Sequence, residues 1–583
     1  MPEAFLNVEK SLTDRCWLGP SSSEDRKANS LAQALDISVV TGLLLSKHDL
    51  KFEEIGSFLE PKIRDMMPEP YCLIDMEKAA NILFKAIVNK DRIGIFSDYD
   101  VDGTSSAAIL TDWLKEFGIS SLLYIPDRVI EGYGPNIPAM VQLSKDTDLI
   151  ICLDCGTLSF DPIKRATETG CKVIVVDHHQ SGKNIPNANA LVNPNQVGES
   201  SGCYYLCAAG VLFLLLVATN RLLKTKKIPT PNLIEYLDLV ALATIADVVP
   251  LVGLNRALVK QGLKIMAKRN RIGLVALGEI AGIRSFPTTF HVSFLIAPRI
   301  NACGRMRDAK LAVDLLTTTS YTDAKKIAFE LDELNSVRQL TESSALNEAI
   351  NQIEGKENKS LIWAVGYQWH PGILGIVAAR LKDKFNLPAI VISINKSGVG
   401  TGSARSIPDI DMGLHVRSLA EEGYIEKGGG HKMAAGLTIQ ENKIKQTMQK
   451  LKKLISKELD GRKTDNFLLI DSMTTIKGAS LDLITEMEKV GPFGSGNPNP
   501  RIVVTNCRIS FVKTLKNKHI KFTLKDSDND QLEAIFFNSL DSKAGSILTK
   551  SKNEKFHFCG RLEINDWGGR LRPVLHIEDV AKS

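Results

Sequence analysis

The sequence has no long uninterrupted apolar segment and no start that suggests export. Its most apolar run, residues 204–218 (YYLCAAGVLFLLLVA), is shorter than the roughly 20 residues that a membrane-spanning helix needs, so we interpret it as a buried core helix. The N-terminal residues MPEAFLNVEK contain neither a basic stretch nor an apolar stretch, and so do not resemble a signal peptide. We therefore expect a cytoplasmic protein with no membrane association.

A regular cysteine framework and a strong excess of charge are also missing. Ten irregularly spaced cysteines in 583 residues indicate reduced thiols. The C-x-x-C pair Cys152 and Cys155 would fit a zinc or redox site, but its position in an apolar strand pattern favours core thiols. The net charge of +5 is compatible with a polyanionic partner without requiring one. The length indicates roughly three to five domains.

From residue 76 onward, helical and strand patterns alternate. The sequence predicts helices at 77–89 and 104–117, and short apolar strands at 92–96, 121–125, 148–153 and 172–176. Apolar, β-branched strands of this kind are typical of a parallel sheet buried on both faces. The predicted fold class is therefore α/β, with a doubly wound parallel sheet.

Several of these strands end on acidic residues. The first runs into SDYDVDG, with Asp98, Asp100 and Asp102 at every second position, and two later strands end at Asp154 and at Asp177. A helix cap needs one aspartate, whereas three close carboxylates repel one another unless cations neutralise them. Asp247 lies alone within the apolar segment LVALATIADVVPL, where a carboxylate is costly unless it is paired or metal-bound.

Together with His178, these acids form an oxygen-rich inventory that suits two Mg²⁺ or Mn²⁺ ions better than a structural zinc. Such a pair of ions activates water and stabilises both oxygens of a displacement at phosphorus. His179 could be a further metal ligand, a hydrogen-bond donor to the transition state, or a residue that supports the ligands. The sequence does not separate these roles.

The four segments resemble the motifs of the DHH phosphoesterase superfamily: DYDVDG at 98–103, DCG at 154–156, DHH at 177–179 and the Asp247 segment. Their order and spacing are similar to those of the RecJ family of single-strand-specific 5′→3′ exonucleases. The resemblance implies metal ligands and, beside them, three catalytic residues. The ligands are Asp100, Asp102, Asp154, His178 and Asp247, and the catalytic residues are Asp98, Asp177 and His179. One departure is Cys155, where many relatives have Asn.

Further segments resemble substrate-binding parts of the same family. These are PDRVIEGYG at 126–134, RINACGRM at 299–306, and the glycine-bearing stretches 370–381, 400–407 and 427–436, which look like a DHHA1 domain. Arginine matches phosphate geometry, and tyrosine stacks on bases. The resemblance implies that the residues holding the nucleic acid and its 5′-terminal phosphate are Arg128, Tyr133, Arg305, Ser403, Arg405 and His431.

Five domains or segments are predicted. An N-terminal cap on the first domain (1–75) precedes the DHH catalytic domain (76–319), a connecting helix (320–355), the DHHA1 domain (356–460) and a C-terminal β-barrel of the OB type (465–583). Residues 511–525 carry five lysines interleaved with Phe511, His519 and Phe522, a composition that suits single-stranded nucleic acid.

The resemblance implies a metal-dependent exonuclease that acts on single-stranded DNA with a free 5′ end and releases 5′-mononucleotides in DNA recombination and repair. A single-strand-binding protein and a repair helicase are the expected partners. Two alternatives stay open: a phosphodiesterase acting on short oligonucleotides or cyclic dinucleotides, and a catalytically inactive single-strand-binding relative. The first alternative needs no OB domain, whereas this sequence has one. The second should lack some of the metal ligands, whereas none of them is missing here.

Overall fold

The computed structural model describes residues 3–128, 130–284, 286–355, 360–459, 466–551, 554–567 and 570–583. The N-terminal segment contains one short strand and four helices. These are β1 (Cys16–Leu18), α1 (Ser22–Leu35), α2 (Val39–Ser46), α3 (Phe52–Leu59) and α4 (Ile63–Met66). Ser21 begins α1 with a capping box to Glu24, a sequence signature of a helix start.

The catalytic domain is built on one parallel sheet. Its elements are α5 (Met76–Asn89), β2 (Ile93–Ser97), α6 (Val101–Lys115), β3 (Leu122–Tyr124), α7 (Ile137–Asp146), β4 (Leu149–Leu153), α8 (Phe160–Glu168), β5 (Lys172–Val176), β6 (Ala190–Val192), α9 (Ala208–Thr225), α10 (Leu237–Ala246), α11 (Gly253–Ala267), α12 (Ile272–Ile280), a π-helix (His291–Ile296), α13 (Ala297–Met306) and α14 (Lys310–Thr317).

The strand order is β3-β2-β4-β5-β6. The chain adds β3 on one side of β2 and then adds β4, β5 and β6 on the other side, so the order of strands reverses between the parallel neighbours β2 and β4. In open α/β sheets such a topological switch point leaves a crevice beyond the carboxyl ends of the two strands, where ligands bind. Side chains on one face of the sheet, such as Ile95 and Ile151, pack in the largest core, and those on the other face, such as Phe96 and Val175, pack in a second core. The doubly wound prediction is therefore confirmed; the short strand β6 was not predicted.

The apolar run at 204–218 belongs to α9. By length and composition α9 could cross a membrane, but 72% of this helix is buried inside the protein. It packs against α5, α6 and α10 in the catalytic domain core, as predicted for a core helix.

A single helix, α15 (Tyr321–Ile353), connects the catalytic domain to a second α/β domain, as predicted, and Ser320 is its N-cap. The second domain contains β7 (Ile362–Tyr367), α16 (Leu374–Phe385), β8 (Ala389–Ile394), β9 (Val399–Arg405), α17 (Met412–Glu421), β10 (Lys427–His431), β11 (Ala434–Gln440) and α18 (Ile444–Leu459). Its mixed sheet has the order β10-β11-β9-β8-β7. The predicted domain boundaries at 356, 460 and 465 lie outside the described residues.

The C-terminal domain is mostly β-structure. Its elements are β12 (Phe467–Leu469), β13 (Ser472–Thr474), α19 (Leu481–Glu488), β14 (Ile502–Leu515), β15 (His519–Lys525), β16 (Gln531–Phe536), α20 (Lys543–Lys550), β17 (Phe556–Trp567) and β18 (Arg570–Lys582). Its five longest strands are β14–β18. They pair in the order β14-β15-β16-β18-β17, and β17 pairs back with β14.

The N-terminal segment packs on the C-terminal domain as well as on the catalytic domain. β1 pairs with β12, and the buried side chains of Leu44, Leu45 and Ile55 lie in the core of the C-terminal domain. On the other side, the guanidinium of Arg256 in α11 donates to the carbonyl of Phe58. The segment therefore bridges the two domains rather than capping the first alone, because its apolar side chains are shared between two cores.

Candidate active site at the sheet switch point

The acidic residues meet beyond the carboxyl ends of the parallel strands. Asp98 and Asp100 follow β2, Asp154 follows β4, and the segment from Asp177 to His179 follows β5. Asp247 comes from a different direction, since it is the C-cap of α10. Because β2 and β4 flank the switch point, the structure brings these side chains to the crevice where such sheets bind ligands.

Three overlapping groups of ligand atoms each lie within 4.8 Å of one another. They are Asp98, Asp100 and Asp154; Asp102, His178 and Asp247; and Asp154, His178 and His179. His178 is central, because its Nε2 lies 3.2 Å from Asp154, 3.5 Å from Asp247 and 3.7 Å from Asp102. All five predicted metal ligands are thus close together, and Asp98, predicted as a catalytic residue beside them, belongs to one of the three groups.

The cluster contains buried polar atoms with no hydrogen-bond partner among the described residues: Oδ1 of Asp98, Oδ1 of Asp154 and Nε2 of His178. Burial raises the pKa of Asp98, Asp102 and Asp154, and burial together with Asp102 raises that of Asp247 to about 8. Burial lowers the pKa of His178, so its imidazole is held neutral, as a metal ligand must be. Unpaired buried oxygens beside a neutral imidazole fit divalent cations.

Asp102 is fixed by the start of α9. Its two carboxylate oxygens accept hydrogen bonds from the backbone amides of Ala208 and Ala209, at 2.7 and 2.9 Å. The sequence predicted α6 from residue 104, but α6 begins at Val101, so Asp102 lies in its first turn and Asp100 is the N-cap. Gly103 is therefore helical rather than a turn residue, and a side chain there would collide with the carbonyl of Asp98.

Asp177 is buried beside the cluster but is occupied by its own hydrogen bonds. It accepts from the backbone amides of Thr157, His178 and His179, and from Nδ1 of His179 at 2.8 Å. Burial opposes charge on His179, yet the hydrogen bond and charge of Asp177 raise the pKa of His179 to about 9. Asp177 therefore positions a protonated His179 and holds the DHH turn, and its carboxylate is not directed at an ion.

Tyr133 lies at the rim of the cluster. Its hydroxyl donates to the carbonyl of Asp154 at 3.1 Å and lies 3.1 Å from Nδ1 of His179, while 53% of the residue remains exposed. Arg128 stacks over the ring of Tyr99 at 5.1 Å, next to Asp98 and Asp100. The structure thus brings both residues of this predicted loop to the site.

Arginines from both α/β domains lie near the acids. Nη1 of Arg305, at the end of α13, donates to the carbonyl of Gly372 at 2.8 Å and so joins the two domains. Burial, followed by the charges of Arg128 and Arg338, lowers the pKa of Arg305 to about 10. Burial, followed by the charge of Arg128, also lowers the pKa of Arg405. The charge of Arg128 thus acts on both Arg305 and Arg405, so guanidinium groups from the two domains lie near one another.

Ser403 and Arg405 lie on the same side of β9, since Ala404 between them is buried in the opposite core. Their side chains hydrogen-bond to each other at 3.2 Å. A Cβ on Gly375, at the start of α16, would lie 2.7 Å from Arg405 and 3.2 Å from Ser403, so a glycine is needed for this close approach. The result is a compact set of donors at the N-terminal end of a helix.

The predicted residue His431 and the motif residue Arg299 are placed less centrally. His431 is exposed on the edge strand β10, and it is separated from Arg405 by Ala434 of β11, on the order of 10 Å across the sheet. Arg299, in the same motif as Arg305, donates to Asp332 of α15 at 2.8 Å and so connects two helices.

The sequence interpretation overlooked the residues that hold the histidine turn. Nδ2 of Asn193 donates to the carbonyl of His179, and Nδ2 of Asn195 donates to the carbonyl of His178. Both follow β6, so finding that strand would have placed V-N-P-N at the same edge as the acids. His370 was also missed; its Nδ1 accepts from the amide of Gly372 beside Arg305.

The lysine-rich hairpin of the C-terminal domain is only partly as predicted. Phe511 is 58% exposed, but Phe522 is fully buried, because alternation along β15 turns Ile520, Phe522 and Leu524 into the core. Lys521 is paired with Glu533. The prediction that Phe522 faces nucleic acid is therefore wrong, and the exposed part of the hairpin consists of Phe511 and the lysines near its tip.

The fold and the site define a metal-binding α/β protein of the DHH class. Residues 92–244 match the DHH family, N-terminal domain; residues 338–457 match the DHHA1 domain; and residues 470–579 match the RecJ OB domain.

Curated relatives extend the match to nearly the whole chain. The single-stranded-DNA-specific exonuclease RecJ of Haemophilus influenzae is 34% identical over 90% of this chain and 93% of the relative, and that of Bacillus subtilis is 33% identical over 96% of this chain and 70% of the relative. The chain belongs to the RecJ family. The crystal structure of RecJ in complex with Mn²⁺ from Thermus thermophilus has a TM-score of 0.79 and 27% identity, and covers 97% of this chain and 79% of that one.

Proposed function

We propose that this protein is a metal-dependent, single-stranded-DNA-specific exonuclease that degrades from the 5′ end and releases 5′-mononucleotides. The observation that carries the proposal is the cluster of buried oxygens that have no partner among the described residues, with the guanidinium groups of Arg128 and Arg305 nearby. The curated relatives are named single-stranded-DNA-specific exonucleases, which supports the substrate. A cluster of this kind has no structural benefit without cations, because unpaired buried carboxylates destabilise the fold.

Two Mg²⁺ or Mn²⁺ ions would be held by Asp98, Asp100, Asp102, Asp154, His178 and Asp247, and would supply a hydroxide nucleophile at neutral pH and charge stabilisation at the phosphorus. Amides of α9 fix the orientation of Asp102. Asp177 keeps His179 protonated, so its imidazolium can donate a hydrogen bond to a phosphate oxygen as negative charge develops there.

The proposed 5′ polarity rests on the cationic side of the cleft. A 5′-terminal phosphate monoester carries more charge than an internal diester, and it favours a compact set of donors over a continuous track. Arg128, Arg305, Ser403 and Arg405 form such a set within reach of the acids. His431, farther along the sheet, would contact the backbone beyond the terminal phosphate, and Tyr133 would stack on a base.

The OB domain would bind the strand beyond the cleft without sequence preference, through the exposed part of the lysine-rich hairpin, and this affinity would fall with salt. In the cell we place the protein in the cytoplasm, in DNA recombination and repair, where a single-strand-binding protein and a helicase would supply its substrate.

The test is digestion of a 5′-labelled and a 3′-labelled oligonucleotide, each also as a duplex, by wild type and Asp154→Ala in Mn²⁺ or EDTA. We expect the 5′ label to leave first as a mononucleotide, the duplex to survive, and EDTA or Asp154→Ala to stop cutting. Asp148→Ala is the matched control, because Asp148 is an exposed aspartate at the other end of β4, where it pairs with Arg92.

Early release of the 3′ label would overturn the polarity. Tight binding of an intact strand in the presence of Mn²⁺ would instead indicate the inactive binding protein.

A further inference from the structure

Val248, immediately after the metal ligand Asp247, has a backbone conformation that its side chain disfavours. Its φ is +59°, in the left-handed region, and it is the one β-branched residue among the described non-glycine residues with positive φ. Most of the others are Asn, Asp or Lys. A β-branched residue is a true outlier there, because its Cβ substituents crowd the backbone.

The bend itself does not need valine. The chain turns here after α10, and glycine or asparagine adopts the left-handed conformation more easily than valine does. Asp154 also has a positive φ, of 60°, but it needs its side chain as a metal ligand. Val248 has no atom that could bind a metal ion. The free-energy cost of its backbone conformation is therefore balanced only if its isopropyl group makes a favourable contact. Strain of this kind concentrates at ligand-binding positions.

The surroundings of Val248 indicate that use. Val248 is 68% exposed, although it is apolar and directly follows Asp247, a partly buried residue of the cluster. Two residues farther on, the chain meets the segment that leads into the C-terminal domain: the amide of Leu251 donates to the carbonyl of Ser495 at 2.8 Å, and a Cβ on Gly496 would lie 3.2 Å from Pro250. Val248 therefore lies between the metal cluster and the junction with the C-terminal domain.

We propose that Val248 is a substrate-contact residue, whose isopropyl group packs against the sugar and base of a nucleotide bound beside the metal cluster, on the side toward the C-terminal domain. This inference rests on the proposed function. An apolar contact of this kind does not depend on base identity, which suits an enzyme that must accept every sequence. It also explains why a strained, exposed valine stands where asparagine would be less costly.

The experiment separates substrate contact from backbone geometry. Binding of a fluorescein-labelled five-nucleotide oligo(dT) is measured in EDTA by anisotropy, and thermal stability is measured on the same samples, for wild type, Val248→Ala, Val248→Gly and Val248→Asn. The matched control is Val252→Ala, an exposed valine on the same loop with an extended backbone (φ −117°). The short oligonucleotide keeps the OB domain from masking a local contact.

If Val248 contacts the substrate, all three variants at this position weaken binding by about tenfold, the factor expected for the loss of two methyl-sized contacts, and Val252→Ala does not. Val248→Gly and Val248→Asn melt at or above the wild-type temperature, since they relieve the strain. Unchanged binding by Val248→Gly and Val248→Asn would overturn the proposal and leave the bend as a means of placing Asp247. Because binding is read without metal, a failure of nuclease activity in the wild type would refute the proposed function separately.

Discussion

Buried carboxylates occur in both the catalytic domain and the C-terminal domain, but their surroundings are opposite. In the C-terminal domain, Asp579 is fully buried and both its oxygens are used: Oδ2 accepts from Nε1 of Trp17 and Oδ1 from Oγ1 of Thr13, each at 2.8 Å. Its neighbour Glu578 accepts from Arg501 and Arg561 at 2.7 and 2.6 Å. In the catalytic domain, Asp98 and Asp154 each keep an oxygen with no partner among the described residues.

The pKa values follow the same division. Burial opposes ionisation of Glu578, but Arg501 and Arg561 hold its pKa below the ordinary value. In the catalytic cluster the neighbouring carboxylates add to the effect of burial and outweigh the favourable contacts, so the pKa values of Asp98, Asp154 and Asp247 rise. A buried acid that the protein itself satisfies stabilises the fold, whereas one that the protein leaves unsatisfied awaits a ligand.

The largest expected effect comes from removing an unsatisfied acid. Asp154→Asn should lower the rate of single-strand digestion about a thousandfold or more, because it removes a charge that two of the ligand groups share. Its melting temperature in EDTA should not fall, since an uncompensated buried charge is lost. A parallel loss of stability in the metal-free protein would show that Asp154 is a structural acid like Asp579.

Removing a buried acid whose oxygens are all hydrogen-bonded should lower the stability of the fold and leave metal binding unchanged. Asp579→Ala leaves the buried Nε1 of Trp17 without an acceptor and should cost on the order of 3 kcal/mol of unfolding free energy. Denaturant unfolding measures this, with the exposed Asp541 changed to alanine as the control. Mn²⁺ affinity should stay at the wild-type value. A weakened Mn²⁺ affinity of Asp579→Ala would contradict the conclusion that the buried acids of the C-terminal domain are structural and those of the catalytic cluster bind metal.

The pH dependence of the metal-free protein should reveal the raised pKa of Asp247. The pKa of Asp247 is raised from 3.8 to about 8, so the folded protein binds more protons than the unfolded chain between these values, and stability falls as pH rises through that window. Melting in EDTA from pH 5.5 to 8.5 measures this fall, which Asp247→Asn should reduce. Mn²⁺ at a hundred times its dissociation constant should restore about 2.7 kcal/mol, most effectively at the higher pH. A flat profile would contradict the assignment.

The smallest effect is expected at Glu578. Its lowered pKa contributes stability that is fully present above the ordinary value of 4.5 and is lost as pH falls through the folded value. Glu578→Gln should therefore cost about 1 kcal/mol at pH 7 and less at pH 3.5, measured by urea unfolding. An equal loss of unfolding free energy at both pH values would mean that the two arginines hold the side chain through hydrogen bonds that do not depend on its charge.

Local patterns predicted much of this structure. Apolar strands ending on acids identified the parallel sheet, its buried faces and most of the acidic residues that meet at its edge, because strand ends and helix caps are encoded within a few residues. Long-range packing was harder to predict. The sharing of the N-terminal segment between two domains depends on which surface its leucines find, and the burial of Phe522 depends on the strand face that pairing turns inward.

The residue types of the site were already present in the amino-acid sequence: carboxylates and imidazoles at the ends of parallel strands, which are groups that divalent cations prefer. How each acid is used depended on the folded chain. In the folded protein Asp177 accepts hydrogen bonds from backbone amides and from His179. Asp98 and Asp154 each keep one oxygen without a partner among the described residues. Asp579 accepts a hydrogen bond from Trp17, near the opposite end of the chain. The reason is physical, since the cost of a buried charge depends on partners that only folding brings within hydrogen-bond distance.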